Sequence, residues 1–131
     1  MNPIISRFSR LEPYAPVVLR LGLAFVFAWF GATQLLGPQS WTALIPQWVT
    51  NISGMSALTV VYINGVFEVI AAILLVLGVW TRLVAFLLFL HLLTIVFDLG
   101  LNAIGVRDIG LSVAALTLAL WGNGPAERSI V

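Results

Sequence analysis

Four long apolar stretches, separated by short polar turns, occupy most of this chain and constrain its fold more than any other feature. They cover residues 16–36, 57–79, 83–99 and 108–121. A helix needs about 20 apolar residues to cross the hydrocarbon core of a bilayer, so these stretches predict membrane-spanning helices. We therefore expect residues 1–131 to form a single all-α domain, a membrane-spanning four-helix bundle.

The composition excludes several classes of protein. Charged residues make up 8% of the chain and hydrophobic residues 61%, whereas a soluble domain carries roughly 25% charged residues. A net charge of +1 provides no basic face, so we expect no nucleic-acid partner. Cysteine is absent and there is one histidine, so disulfides, thiolate chemistry and a metal site are not predicted.

The arginines predict how the helices are oriented. With the N-terminus inside, Arg7, Arg10, Arg82 and Arg128 all fall on the cytoplasmic side, and Arg107 falls outside. The positive-inside rule therefore favours cytoplasmic termini and a multi-pass protein of the inner (cytoplasmic) membrane. The connector between the first two stretches has no charge and contains two tryptophans, which predicts a segment at the membrane interface over residues 38–56.

Each apolar stretch carries one face of polar or small residues at helical spacing, and we call these faces together the polar seam. Arg20 and Gln34 lie on the first face, Asn64 and Glu68 on the second, and His91 on the third. Polar groups inside a membrane are costly, so they usually face the interior of a bundle and are functional candidates. The sequence thus predicts a bundle with a polar interior.

The candidate ligand-binding residues are these five, and Glu68 and His91 are the most informative. Each lies near the middle of its stretch, so both are expected near the bilayer midplane. A carboxyl group beside a neutral histidine could bind a hydrogen-bonding lipophilic ligand, such as a quinone head group, or relay a proton. The alternative is that Glu68, held by Asn64 and His91, only fixes helix register. We expect Arg20 to turn inward rather than reach the head groups.

A second polar group is expected at the outer ends of the last two helices. Asp98 closes the third stretch, and Arg107 and Asp108 precede the fourth. Opposite charges at helix ends favour ion pairs in a connecting loop. We therefore predict a structural, ion-paired outer mouth.

The chain resembles the DoxX family of small four-span membrane proteins over nearly its whole length. The resemblance depends on the order and spacing of short motifs: Arg20-Leu21-Gly22, Phe30-Gly31-x-x-Gln34-Leu35, Gly65-x-x-Glu68, Leu77-Gly78-x-x-Thr81-Arg82, Arg107-Asp108 and Gly122-x-Gly124.

The resemblance implies association with a redox system. One branch of the family is similar to a subunit of an archaeal thiosulfate:quinone oxidoreductase, and another associates with superoxide- and thiol-handling proteins. Many relatives carry lysine where this chain has Gln34, which removes any role that needs a cation there. Without cysteine, this chain cannot itself carry out thiol–disulfide exchange.

Three functions follow as alternatives. The first is a membrane component of a redox system that binds a quinone or another lipophilic ligand, with a redox protein or a second copy of the chain as its partner. If it takes part in catalysis, it would be an accessory subunit of a quinone-linked oxidoreductase. The others are a non-catalytic scaffold and a small-solute or proton transporter, for which four short helices leave little room.

Overall fold

The computed structural model describes residues 2–124, and all regular secondary structure in that range is helical. Within this described range six α-helices follow one another: α1 (Pro3–Leu11), α2 (Ala15–Leu36), α3 (Gln47–Ser53), α4 (Ala57–Leu77), α5 (Thr81–Leu99) and α6 (Ala103–Trp121).

Four of these helices are long and apolar enough to cross a membrane. Helices α2 and α4 have 22 and 21 residues, and α5 and α6 have 19 each. At 1.5 Å per residue, the shorter pair reaches about 28 Å, close to the thickness of a bilayer core of about 30 Å. The prediction of an all-helical chain with four membrane helices is confirmed within residues 2–124.

Helix α6 begins five residues earlier than the apolar pattern predicts. The side chain of Asn102 caps it, because Asn102 Oδ1 accepts a hydrogen bond of 2.9 Å from the Gly105 backbone nitrogen. A Cβ added at position 105 would collide with the Gly100 carbonyl oxygen, so this tight turn requires glycine. The predicted polar loop is therefore mostly the first turn of a helix.

The turn between α4 and α5 has the predicted length of three residues but lies two residues earlier than predicted. Helix α4 ends at Leu77, two residues early, and α5 begins at Thr81, also two residues early. Gly78 and Trp80 adopt left-handed backbone angles, with φ of 71° and 51°. Glycine adopts this conformation freely, whereas tryptophan rarely does, so the turn is held by its surroundings.

The segments predicted to lie outside the bilayer core contain short helices. Residues 3–11 form α1, whose exposed side chains Ile4, Phe8 and Leu11 share one face. The connector contains two 3₁₀ turns and then α3. In that connector, the Trp41 ring packs edge-on against Phe30, with ring centroids 5.8 Å apart.

Within the described residues the chain divides into two compact units. One takes in the residues up to Leu23 and from Leu74 onward, and we call it the α5–α6 unit; the other, Ala24–Ile73, is the α2–α4 unit. In the α5–α6 unit, buried residues recur three or four positions apart on both helices, including Ala85, Leu88 and Leu118. This spacing places one stripe of each helix in the core. The single domain, the polar seam and the cytoplasmic termini stay predictions.

Candidate functional site

Three predicted polar residues meet in the α2–α4 unit, and we call them the amide–carboxyl cluster. Gln34 of α2 donates a hydrogen bond of 2.8 Å from Nε2 to Glu68 Oε2 of α4. Asn64, one turn before Glu68, donates from Nδ2 to Gln34 Oε1 at 2.8 Å. Gln34 therefore both donates and accepts, and it links the two helices through side chains alone.

Close approach of α2 and α4 makes these contacts possible. An added Cβ at Gly31 would lie 2.9 Å from the Gly65 carbonyl oxygen, and one at Gly65 would lie 3.1 Å from the Gly31 carbonyl oxygen. Small residues allow membrane helices to approach to backbone contact. The glycines lie one turn before Gln34 and Glu68, so the motifs Gly31-x-x-Gln34 and Gly65-x-x-Glu68 describe one helix crossing with its polar pair.

The cluster is buried at one side and accessible at the other. Gln34 and Glu68 each expose 4% of their surface, whereas Asn64 is half-buried. The second contact of Asn64 Nδ2, to Glu68 Oε1, is 3.5 Å long and so contributes little. Among residues 2–124, Asn64 Oδ1 accepts no hydrogen bond. Asn64 thus retains both donor and acceptor capacity at the accessible edge.

The other predicted midplane residue, His91, lies on α5 and is half-buried. Its backbone carbonyl accepts a hydrogen bond of 2.7 Å from the Thr94 hydroxyl one turn later. His91 belongs to the α5–α6 unit and Glu68 to the α2–α4 unit. The shared cavity that the sequence predicts for these two side chains stays a prediction.

Arg20 belongs to a buried polar cluster in the α5–α6 unit that sequence analysis did not identify. Its Nη1 donates a hydrogen bond of 3.1 Å to Asn123 Oδ1, which also accepts from the Thr81 hydroxyl. Asn123 Nδ2 donates to the Gly78 carbonyl oxygen at 2.9 Å. Arg20, Thr81 and Asn123 expose 3%, 2% and 4% of their surfaces, so this network lies within the protein.

Sequence analysis did not identify Asn123 because it follows the last apolar stretch. A polar residue outside the membrane core is common and does not indicate a functional role. The available signal was the motif Gly122-x-Gly124, which encloses it. Both glycines have left-handed backbone angles, with φ of 72° and 75°. Such angles turn the chain back sharply after α6, which brings Asn123 under the turn between α4 and α5.

The predicted outer-mouth residues are all located on α5 and α6. Arg107 Nε and Asp108 Oδ1 form an ion pair at 3.1 Å, with Arg107 exposed and Asp108 buried. Asp98 is exposed near the end of α5. An ion pair with one exposed partner contributes at most about 1 kcal/mol. Arg107 and Asp108 thus pair within α6, and the ion-paired outer mouth that would include Asp98 stays a prediction.

A metal centre finds no support within residues 2–124, where no three His, Cys, Asp or Glu side chains come together. The described residues present two hydrogen-bonded networks, one in each unit.

Comparison with known proteins assigns the chain to a family. A family model described as DoxX matches residues 15–100, which include every residue of the amide–carboxyl cluster. No curated protein and no solved structure matches the chain.

Proposed function

Because the chain belongs to the DoxX family, we propose that it is an integral membrane component of a redox system. We propose further that its amide–carboxyl cluster binds the polar head of a lipophilic ligand. The observation that carries the proposal is the Glu68 carboxyl group, 4% exposed within a membrane-spanning pair of helices, which accepts a hydrogen bond from Gln34, itself held by Asn64. Such groups are costly in a membrane and are usually functional.

The donors and acceptors of the cluster fit a quinone head group. A quinone presents carbonyl oxygens, which accept hydrogen bonds, and Asn64 has an N–H group that makes only the 3.5 Å contact among residues 2–124. Asn64 Oδ1 could accept from the hydroxyl of the reduced form. Glu68 and Gln34 would hold Asn64 in place, and a bound quinone would supply two-electron, two-proton redox chemistry.

His91 is the second proposed ligand contact. Like Glu68, it lies near the middle of its apolar stretch, so the sequence predicts a similar depth in the membrane. A neutral imidazole is both a hydrogen-bond donor and an acceptor. The chain has no cysteine, so electrons would reach the quinone from a partner protein. An accessory subunit of a quinone-linked oxidoreductase would both bind the quinone and receive electrons from a partner protein.

The direct test is the quinone content of the gently purified protein. We expect co-purifying quinone in the wild type and about a two- to tenfold loss in Asn64→Leu, the effect of one hydrogen bond worth about 0.5–1.5 kcal/mol. Thr33→Val is the matched control, because the Thr33 hydroxyl donates at 2.9 Å to Phe30 of its own helix. His91→Leu tests the second contact in the same assay.

Equal quinone in Asn64→Leu and Thr33→Val would refute binding at the cluster. The redox role has a separate readout: membranes that lack the chain should lose a quinone-reductase activity that the wild-type gene restores. If quinone binds but no such activity changes, the chain binds quinone outside a redox system.

A scaffold is the alternative that one observation favours. The Gly31–Gly65 crossing and the Gln34–Glu68 hydrogen bond together fix the register of α2 on α4 without any ligand. A scaffold predicts quinone at background level in the wild type. It also predicts that cluster variants reduce stability and partner recovery in parallel.

A further inference from the structure

A cavity in the α5–α6 unit lies outside the proposed quinone site. Its volume is about 220 Å³, and it is lined by Thr81, Arg82, Trp121, Gly122, Asn123 and Gly124. A smaller cavity, of about 150 Å³, is enough for benzene in a protein core. The cavity therefore has room for a group larger than a single ion.

The cavity lies where membrane-spanning helices end. Thr81 and Arg82 are the first residues of α5, and Trp121 is the last residue of α6. Trp80 and Trp121 border this level and expose 48% and 41% of their surfaces. Exposed tryptophans at both helix ends are typical of the head-group layer, so the cavity opens at the depth of lipid phosphates.

The charge of the lining is positive. Arg82 is exposed and donates from Nη2 to the Trp121 carbonyl oxygen at a long 3.4 Å, and none of its other N–H groups has an acceptor among the described residues. None of the six lining residues is acidic. The guanidinium group, with five donors in a planar fork, matches phosphate oxygens.

The remaining polar side chains of the lining form its fixed wall. Asn123 uses its nitrogen on Gly78 and its oxygen on Arg20 and Thr81. A Cβ added at Gly122 would lie 2.8 Å from Arg82 Nε. Glycine at this position therefore allows the Arg82 side chain to lie beside the cavity. Among the described lining residues Arg82 is thus the one charged group, and it lies beside the hydrogen-bonded Asn123 and Thr81.

We propose that this cavity binds the phosphate group of an anionic phospholipid, with Arg82 as its main contact. Free phosphate and a phospholipid head group would both present a phosphate to Arg82. The position of the cavity at the membrane boundary favours the phospholipid. Each arginine near a membrane surface contributes about 1 kcal/mol to anionic lipid binding, which corresponds to about a fivefold change in affinity.

The test is native mass spectrometry of the full chain in detergent with added phosphatidylglycerol. We expect the wild type and Arg10→Gln to retain one lipid equally, and Arg82→Gln to retain about fivefold less. Arg10 is the matched control, since it is an exposed arginine on α1 that loses the same charge. Equal retention by Arg82→Gln and Arg10→Gln would overturn the proposal.

Two further arms keep the result decisive. Photoreactive phosphatidylglycerol should label the wild type mainly in the tryptic peptide 108–128, which contains residues 121–124 of the lining, so the test does not depend on a variant that folds. Labelling of that peptide no stronger than labelling of 83–107 contradicts the site. Displacement of the lipid by millimolar inorganic phosphate would assign the site to free phosphate and overturn the lipid as its source.

Discussion

The helix crossing at Gly31 provides the sharpest test of how the amide–carboxyl cluster is positioned. In Gly31→Ala, the new Cβ would lie 2.9 Å from the Gly65 carbonyl oxygen and 2.9 Å from the Val69 backbone nitrogen. Both neighbours are backbone atoms and cannot rotate away. Ordinary contact begins at 3.4 Å, so α2 and α4 must separate locally by about 0.5 Å.

The expected cost follows from that separation. Overpacking by a methyl group costs about 1–3 kcal/mol, and alanine returns about 0.5–1 kcal/mol because it is the better helix former. The net loss in the free energy of unfolding should be about 0.5–2 kcal/mol. The same movement lengthens the 2.8 Å Gln34–Glu68 hydrogen bond to about 3.3 Å, where it weakens, so quinone content should fall as well.

Gly22→Ala is the matched control on the same helix. An added Cβ at Gly22 meets nothing within 4 Å, so only the gain in helix propensity of about 0.5–1 kcal/mol applies. Unfolding followed by circular dichroism in mixed dodecyl maltoside and SDS micelles should shift in opposite directions for the two variants. If both shift in the same direction and by a similar amount, the close crossing does not limit the packing of α2 on α4.

Three further predictions concern the polar networks and the orientation. Glu68→Gln should unfold close to the wild type, whereas Glu68→Leu should lose about 1–3 kcal/mol because one N–H of Gln34 loses its acceptor and only the contact with Phe30 remains; equal losses in the same micelle assay would contradict the hydrogen-bonding role. Asn123→Ala should lose at least about 1 kcal/mol, because buried Arg20 and Thr81 both donate to Asn123, and wild-type stability would show that the network is dispensable. A cytoplasmic reporter at the C-terminus should be active, while one in the interfacial connector should be silent; the reverse pattern would refute the predicted topology.

The sequence predicted most of the secondary structure because membrane helices depend on composition. Lipid offers no partner for backbone polar groups, so every long apolar stretch must be helical. Local backbone geometry explains the helix boundaries that differ from the prediction. The Asn102 cap moves the start of α6 into a segment that reads as a polar loop, and the left-handed Trp80 moves the start of α5.

The candidate site could be predicted in part. Gln34, Asn64 and Glu68 were identified because a polar residue inside an apolar stretch is costly, and the structure places them in one cluster. Asn123 could not be identified in this way, since it lies outside every stretch. Its role depends on how the chain turns after α6, a property of three-dimensional packing that residue spacing alone does not contain.

The three-residue connection between α5 and α6 has a consequence for membrane insertion. Residues 100–102 reach at most about 10 Å when extended, far less than the bilayer core of about 30 Å, so the two helices must enter as a hairpin. Arg82 opens α5 and Arg107 lies near the start of α6, which places one arginine at each end of that hairpin. With one arginine at each end, the hairpin has no arginine imbalance of its own, so the arginines that enter the membrane before it decide the direction in which it inserts.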